Sequence, residues 1–122
     1  MTTVLVVDDS STMVMSLSRI LTKSGYVVET AANGQEGMTK LKNGLKPGLI
    51  LTDVNMPVMD GITFVKEARK HPATRFVPIV VLTTEAGGPK QSEARAAGAS
   101  GWLTKPTPPD TLLATLKQLI SG

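Results

Sequence analysis

Six side chains, far apart in the chain but each at the end of an apolar run, have types that could act on one chemical problem. Asp8 and Asp9 follow Val4–Val7, Asp53 follows Leu49–Thr52, Thr83 and Thr84 follow Pro78–Leu82, and Lys105 comes just after Gly101–Leu103. Three carboxylates brought close together raise one another's pKa unless a cation sits between them. A hard divalent ion meets that need: Mg²⁺ is usually held by one or two carboxylates, with waters and phosphate oxygens completing its octahedron, and Mn²⁺ is the alternative ion. A lysine adds a point charge suited to phosphate, and a threonine hydroxyl adds a hydrogen-bond donor. A carboxylate can itself be a nucleophile and form an aspartyl phosphate. Asp53, alone at the end of its run, is the candidate nucleophile; the paired Asp8 and Asp9 suit metal binding. Taken singly, an Asp–Asp pair caps a helix, a Lys–Pro pair makes a surface turn, and a Thr after a strand says little. Their joint placement is what points to a phosphoryl site.

The elements that must position these groups follow a regular order. Val4–Val7 is a continuous apolar run, as expected of a strand buried on both faces. Ser11–Lys23 has apolar residues at helical spacing (Met13, Leu17, Ile20, Leu21), and Gly25 ends it. Val27–Thr30 reads as a second strand, ending in Ala31–Ala32 without obvious chemistry. Asn33 with Glu36 starts a second helix carrying Met38 and Leu41 inward. Leu49–Thr52 is the third strand, and Asp60 caps a helix that buries Ile62, Val65 and Ala68. Pro78–Leu82 is the fourth strand, with Pro tolerated at its first position. Pro89–Ala97 is a weaker helix, Gly101–Leu103 a short fifth strand, and Thr107–Asp110 reads as a capping box opening a helix with Leu112, Leu116, Leu119 and Ile120. Strands and helices alternating five times imply a parallel sheet with helices on both faces, and ligands gather beyond the carboxyl ends of such strands.

Composition narrows the function classes. A chain of 122 residues, 41% hydrophobic and 19% charged, suits a single domain with a real core. The net charge of +3 and four aromatic residues argue against a nucleic-acid stacking surface. The absence of cysteine excludes disulfides and thiolate chemistry. No signal peptide and no apolar run of membrane-spanning length is present, so a cytoplasmic location without membrane insertion is expected. His71 reads as a solvated loop residue, and Lys66, Arg69 and Lys70 as a charged helix face needing no partner.

Four segments, "VVDDS" at Val6–Ser10, "LTDVNMPVMDG" at Leu51–Gly61, "LTTE" at Leu82–Glu85 and "WLTKP" at Trp102–Pro106, make the chain resemble the receiver domain of two-component response regulators. The resemblance spans essentially the whole chain and is strongest to the single-domain chemotaxis regulators of CheY type. It implies a flavodoxin-like doubly wound α/β fold, with a five-stranded parallel sheet in the order 2-1-3-4-5, over residues 1–122 and no output domain. It further implies that Asp53 accepts a phosphoryl group from a histidine kinase or histidine phosphotransfer protein. Asp9, Asp53 and the backbone carbonyl of Asn55 would bind Mg²⁺ directly, and Asp8 through water. Lys105 would pair with a phosphoryl oxygen, Thr83 would be the switch hydroxyl, and Trp102 would stand at the switch aromatic position. Asn55, Glu85 and Thr84 fall where the family tunes the lifetime of its phosphoaspartate. The fourth helix, fifth strand and fifth helix would read out the signal to a protein target such as a flagellar motor switch protein, with the chain a monomer and no enzyme beyond self-catalysed phosphorylation and dephosphorylation.

Three further readings accompany this one. Met15 points nearly opposite the buried stripe of the first helix and Val14 lies at its boundary, so the pair is a candidate docking patch for the phosphoryl donor. A phosphate sink or relay intermediate would use the same chemistry without a target of its own. A Mg²⁺-dependent phosphohydrolase also uses an Asp nucleophile, but such enzymes commonly place a second acid two residues later, where this chain has Asn55, and carry a cap domain for which there is no room.

Overall fold

The computed structural model describes residues 2–84 and 88–121. Strands and helices alternate: β1 (Thr3–Val7), α1 (Ser11–Lys23), β2 (Val27–Ala31), α2 (Gly34–Lys42), β3 (Leu49–Thr52), α3 (Gly61–Lys70), β4 (Ile79–Thr83), α4 (Pro89–Ala97), β5 (Gly101–Thr104) and α5 (Pro109–Ser121). All strand pairs are parallel, and the sheet order is β2-β1-β3-β4-β5, as the family resemblance implied.

The sheet is buried on both faces because its central strands are apolar except for one terminal threonine each (Thr3, Thr52 and Thr83), and alternate residues point to opposite sides. Val4, Val6, Leu49, Leu51, Val80 and Leu82 pack with Leu17 and Leu21 of α1 and Leu112 and Leu116 of α5. Leu5, Val7, Ile50 and Ile79 face the other way, against Met38 and Leu41 of α2 and Phe64, Val65 and Ala68 of α3. A smaller cluster of Val54, Ile62, Val81 and Ala94 joins α3 to α4 beside the carboxyl end of the sheet.

Side-chain caps start three of the helices at that same edge. Ser10 Oγ accepts from the Met13 N–H, Asn33 Oδ1 from the Glu36 N–H, and Asp60 Oδ1 from the Thr63 N–H. Glu36 in turn accepts from the N–H of Ala32, one residue before the cap, at 3.3 Å. The box expected at Thr107–Asp110 takes another form: the Thr107 hydroxyl donates to the Thr104 carbonyl, and α5 closes its first turn through Leu112 N–H to Pro108 O. Strand β4 begins at Ile79 rather than Pro78, since proline has no N–H to give; its carbonyl still accepts from Ile50 at 3.0 Å.

Arg69 corrects the reading of its helix face as partnerless. It is half-buried, and its guanidinium donates to the carbonyls of Gly98, Thr74, Arg75 and Val77 and to Ser100 Oγ. Burial lowers its pKa from the ordinary value. One side chain thus fastens the end of α3 to the loop before β4 and to the turn between α4 and β5.

Candidate functional site

The acids reach the carboxyl edge because the strand ladder continues one residue past each strand. Asp8 N–H donates to Ala31 O at 3.0 Å, and Asp53 N–H donates to Val7 O at 2.9 Å. On the other side of the sheet, Lys105 N–H donates to Thr83 O at 2.7 Å, which ties the end of β5 to the end of β4. Backbone bonding therefore sets the positions of Asp8, Asp53 and Lys105 relative to one another.

Asp8, Asp9 and Asp53 each offer a carboxylate oxygen, and these oxygens lie within 4.8 Å of one another. Their surroundings differ. Asp8 is buried: its Oδ1 accepts from the Ser10 N–H at 2.9 Å and its Oδ2 from Lys105 Nζ at 2.8 Å. Asp53 is half-buried: its Oδ1 accepts from the Val54 N–H at 2.7 Å, and its Oδ2 lies 3.4 Å from Lys105 Nζ. Asp9 is exposed. Lys105 thus bridges two of the acids and sits nearer to Asp8, a contact that spacing in the sequence did not announce. Three carboxylates against one ammonium leave excess negative charge around oxygen-only donors, which is the donor set a hard divalent cation takes. The residues present therefore fit such an ion.

The remaining candidates lie around this cluster. Thr83 closes β4 and is fully buried, whereas Thr84 is exposed. Trp102, half-buried on the edge strand β5, packs against the Val54, Ile62, Val81 and Ala94 cluster. Asn55 is exposed, and Glu85 lies outside the described residues. Met15 is 63% exposed, and Val14 is half-buried against the core. Both line a groove of about 330 Å³ that also takes in Asp8, Asp9, Ala31, Ala32 and Glu36. The end of β2, read as chemically silent, is one wall of that groove.

Two glycines shape the loop between β3 and α3. A Cβ on Gly61 would collide with the carbonyl oxygen of Asp53 itself, and Gly61 N–H donates to Val54 O at 2.8 Å. The first residue of α3 is thus pressed against the backbone of the central acid. Gly34 N–H donates to Met59 O at 3.1 Å, and a Cβ there would come within 2.8 Å of Met59 Cγ. Between these two anchors the chain makes a tight turn, with Met59 N–H donating to Pro57 O at 2.7 Å across Val58 at φ +69°. A three-residue turn with positive φ at its centre is the strained form, and for a β-branched residue that φ costs about 1–2 kcal/mol. The only sequence signal for these packing roles is the Asp60–Gly61 pair, which reads as a helix start and not as a support for Asp53.

Comparisons with known proteins agree with this geometry. The response regulator receiver domain family matches residues 4–117. The chain is 33% identical to Protein PilH of Pseudomonas aeruginosa over 122 residues, covering all of both chains. It is 36% identical to Chemotaxis protein CheY1 of Helicobacter pylori over 117 residues, covering 95% of this chain and 94% of the relative. The solved structure of Vibrio cholerae chemotaxis protein CheY4 superposes with a TM-score of 0.92 at 46% identity, covering 98% of each chain. The family match, on a doubly wound sheet with an acidic cluster and a lysine at its carboxyl edge, is that of a phosphorylation-dependent signalling switch. The chain belongs to the response regulator receiver family. Membership implies, in general terms, a kinase as donor and a downstream target. No helix among the described residues is long and apolar enough to cross a membrane.

Proposed function

We propose that Asp53 is the phosphoacceptor of a chemotaxis-type signalling switch. The observation that carries this reading is the approach of three carboxylates to within 4.8 Å, with Lys105 bridging Asp8 and Asp53. A lone pair on an Asp53 carboxylate oxygen attacks the phosphorus of a phosphohistidine on a kinase or phosphotransfer protein. The P–N bond breaks, and its electron pair returns to the imidazole nitrogen. Asp8, Asp9, Asp53 and the carbonyl of Asn55 would hold Mg²⁺, or Mn²⁺ in its place, which when bound offsets charge on the transferring oxygens. Lys105 leaves its contacts with Asp8 and Asp53 to meet a phosphoryl oxygen, and the Thr83 hydroxyl turns toward the same group. Hydrolysis reverses the state: a water oxygen attacks phosphorus, the bond from phosphorus to the Asp53 oxygen breaks, and the carboxylate and inorganic phosphate result. In the family resemblance Asn55, Thr84 and Glu85 match sequence positions that tune this step, and they would govern the access of that water.

The new dianion favours one arrangement of the neighbouring loops, which is the differential interaction a two-state switch needs. Trp102, on the edge strand next to α4, would carry the change to a protein target through α4, β5 and α5. Similarity to CheY1 and CheY4 supports chemotaxis as the setting and the cytoplasm as the location. Exposure of Met15 beside the acids supports α1 as the donor-docking helix. Replacing Val14 and Met15 with Lys then slows phosphorylation by a protein donor and spares that by acetyl phosphate; an equal loss with both donors removes α1 from the docking surface.

Acetyl phosphate with Mg²⁺ tests the central reading. The expected result is one acid-labile phosphoryl group per chain, absent in Asp53→Asn, with a change in fluorescence of Trp102, the single tryptophan. No label, or repeated turnover of a phosphoester, overturns it.

A further inference from the structure

The chain carries the dipeptide Asn-Gly twice, at Asn33–Gly34 and at Asn43–Gly44. Asparagine before glycine is chemically unstable: with no Cβ on the second residue, its backbone nitrogen can reach the side-chain carbonyl of the first. The two pairs stand at the two ends of one helix, α2, so their surroundings alone distinguish them.

At Asn33–Gly34 both reacting groups are held. The Asn33 side chain caps α2, its Oδ1 accepting from the Glu36 N–H at 2.9 Å. The Gly34 nitrogen, which would be the attacking atom, donates to Met59 O at 3.1 Å. Gly34 is buried, and a Cβ there would come within 2.9 Å of Met59 and Phe64. Bringing the Asn33 side chain onto that nitrogen therefore means breaking the cap and parting α2 from the loop after β3.

The second pair stands open. Asn43 and Gly44 are exposed, and nothing lies within 4 Å of a Cβ position on Gly44. The helix end is closed here by backbone groups: Asn43 N–H donates to Thr39 O at 3.0 Å, Gly44 N–H to Leu41 O at 3.1 Å and Leu45 N–H to Lys40 O at 3.0 Å. Fraying of this last turn, an opening of low free energy, is enough to release the Gly44 nitrogen.

We propose that Asn43 is a site of spontaneous deamidation, and that the fold spares Asn33 in the same dipeptide. The Gly44 nitrogen gives its proton to a solvent base and attacks Asn43 Cγ. The bond from Cγ to Nδ2 breaks, and ammonia leaves with a proton from solvent. Water then opens the cyclic imide: cleavage on one side gives aspartate, and on the other isoaspartate, whose main chain runs through Cβ and Cγ. One water is consumed, one ammonia is released, and the net charge of +3 falls by one. Either product puts a carboxylate at the C-terminal end of α2, where the helix dipole disfavours it. Isoaspartate also lengthens the backbone just before Leu45, which packs against the core.

The test ages the full chain in mildly alkaline buffer, folded in one sample and unfolded in urea in the other. Trypsin cuts after Lys40 and Lys42, so Asn33 and Asn43 fall in separate peptides. Each deamidation raises the mass of its peptide by about 1 Da. In the folded chain the Asn43 peptide is expected to convert, as two products, within about tenfold of its rate in urea, and the Asn33 peptide to be slowed about a hundredfold or more. Trypsin does not cut Lys46–Pro47, so the Asn43 peptide also holds Asn55. Asn43→Gln, whose longer side chain closes the ring far less readily, is the control and should keep the mass of that peptide unchanged. A mass gain that persists in Asn43→Gln assigns the reaction to Asn55 and overturns the proposal. So does a folded-state slowing of Asn43 by more than about tenfold, or an Asn33 peptide slowed no more than the Asn43 peptide.

Discussion

Replacing Gly61 by alanine puts the support of Asp53, the proposed phosphoacceptor, to the sharpest trial. The added Cβ would overlap the Asp53 carbonyl oxygen and lie 2.8 Å from its carbonyl carbon and 2.9 Å from Val54 Cα. All three are backbone atoms, so no side chain can swing aside. Restoring ordinary contact with the two carbons alone requires a shift of at least roughly half an ångström, and the oxygen requires more. Either α3 backs away, loosening the fully buried Phe64, Val65 and Ala68, or the Asp53 peptide is pushed out of the ladder that holds it to Val7. Overpacking of this kind costs about 1–3 kcal/mol, and loss of the Gly61–Val54 hydrogen bond about 1 kcal/mol more. Against this, alanine gains up to about 1 kcal/mol in helix propensity over glycine. Steric overlap wins, and the net expectation is a loss of about 2–3 kcal/mol. For a chain of this size that lowers the midpoint of thermal unfolding by roughly 8–15 °C. Displacing the proposed phosphoacceptor should also slow labelling by acetyl phosphate about 10- to 100-fold at a temperature where the variant is still folded. Gly44→Ala is the control: Gly44 has φ +106° with nothing within 4 Å of its Cβ position, so backbone strain of about 1 kcal/mol is its whole effect. It should be mildly less stable and react at the wild-type rate. A Gly61→Ala variant with wild-type stability and wild-type labelling would show that α3 does not brace Asp53.

Two further substitutions probe the charges. Lys105→Met leaves the buried Asp8 and its two neighbours without their internal cation, which should cost about 3 kcal/mol in the presence of a chelator. Mg²⁺ should recover much of that, so the rise in unfolding temperature on adding Mg²⁺ is expected to be larger for Lys105→Met than for wild type; an equal rise would mean that metal and lysine do not share the same carboxylates. Asp60 offers a pH test. Burial pushes its carboxyl up, but hydrogen bonds from the N–H and hydroxyl of Thr63 and from Ile62, with the charge of Lys90 nearby, outweigh burial and hold it below its ordinary value. Its contribution is thus fully present above the unfolded value of about 3.9 and is lost as pH falls through the lower, folded value. Asp60→Ala should cost about 1 kcal/mol at neutral pH and flatten the loss of stability below about pH 4. Denaturant midpoints measured from pH 7 down to acid would show the two curves converging; parallel curves would mean that Thr63 does not bind the ionised form.

Most of the sheet, and the acids and lysine that meet at its edge, were legible in the chain itself. Short continuous apolar runs such as Val4–Val7 and Leu49–Thr52, bounded by polar residues, read as strands covered on both sides, and alternation with helices makes the sheet parallel. Each run ends where a polar residue follows, so Asp8, Asp9, Asp53 and Lys105 had to emerge at one edge. Those are one-dimensional facts, carried by hydrophobic period and by position relative to a strand end. What the tertiary structure alone decided is who touches whom across that edge. That Lys105 lies 2.8 Å from Asp8 and 3.4 Å from Asp53 depends on five strands coming into register. That Arg69 spends its guanidinium on the carbonyls of two separate loop segments has no sequence signal, because a carbonyl is the same in every residue. Likewise, Gly61 reads as a helix start until α3 is laid against Asp53, and nothing in the sequence marks Val58 as a residue with φ +69°. Residue types dictated what chemistry was available; the close approach of backbones from different parts of the chain decided how it is held.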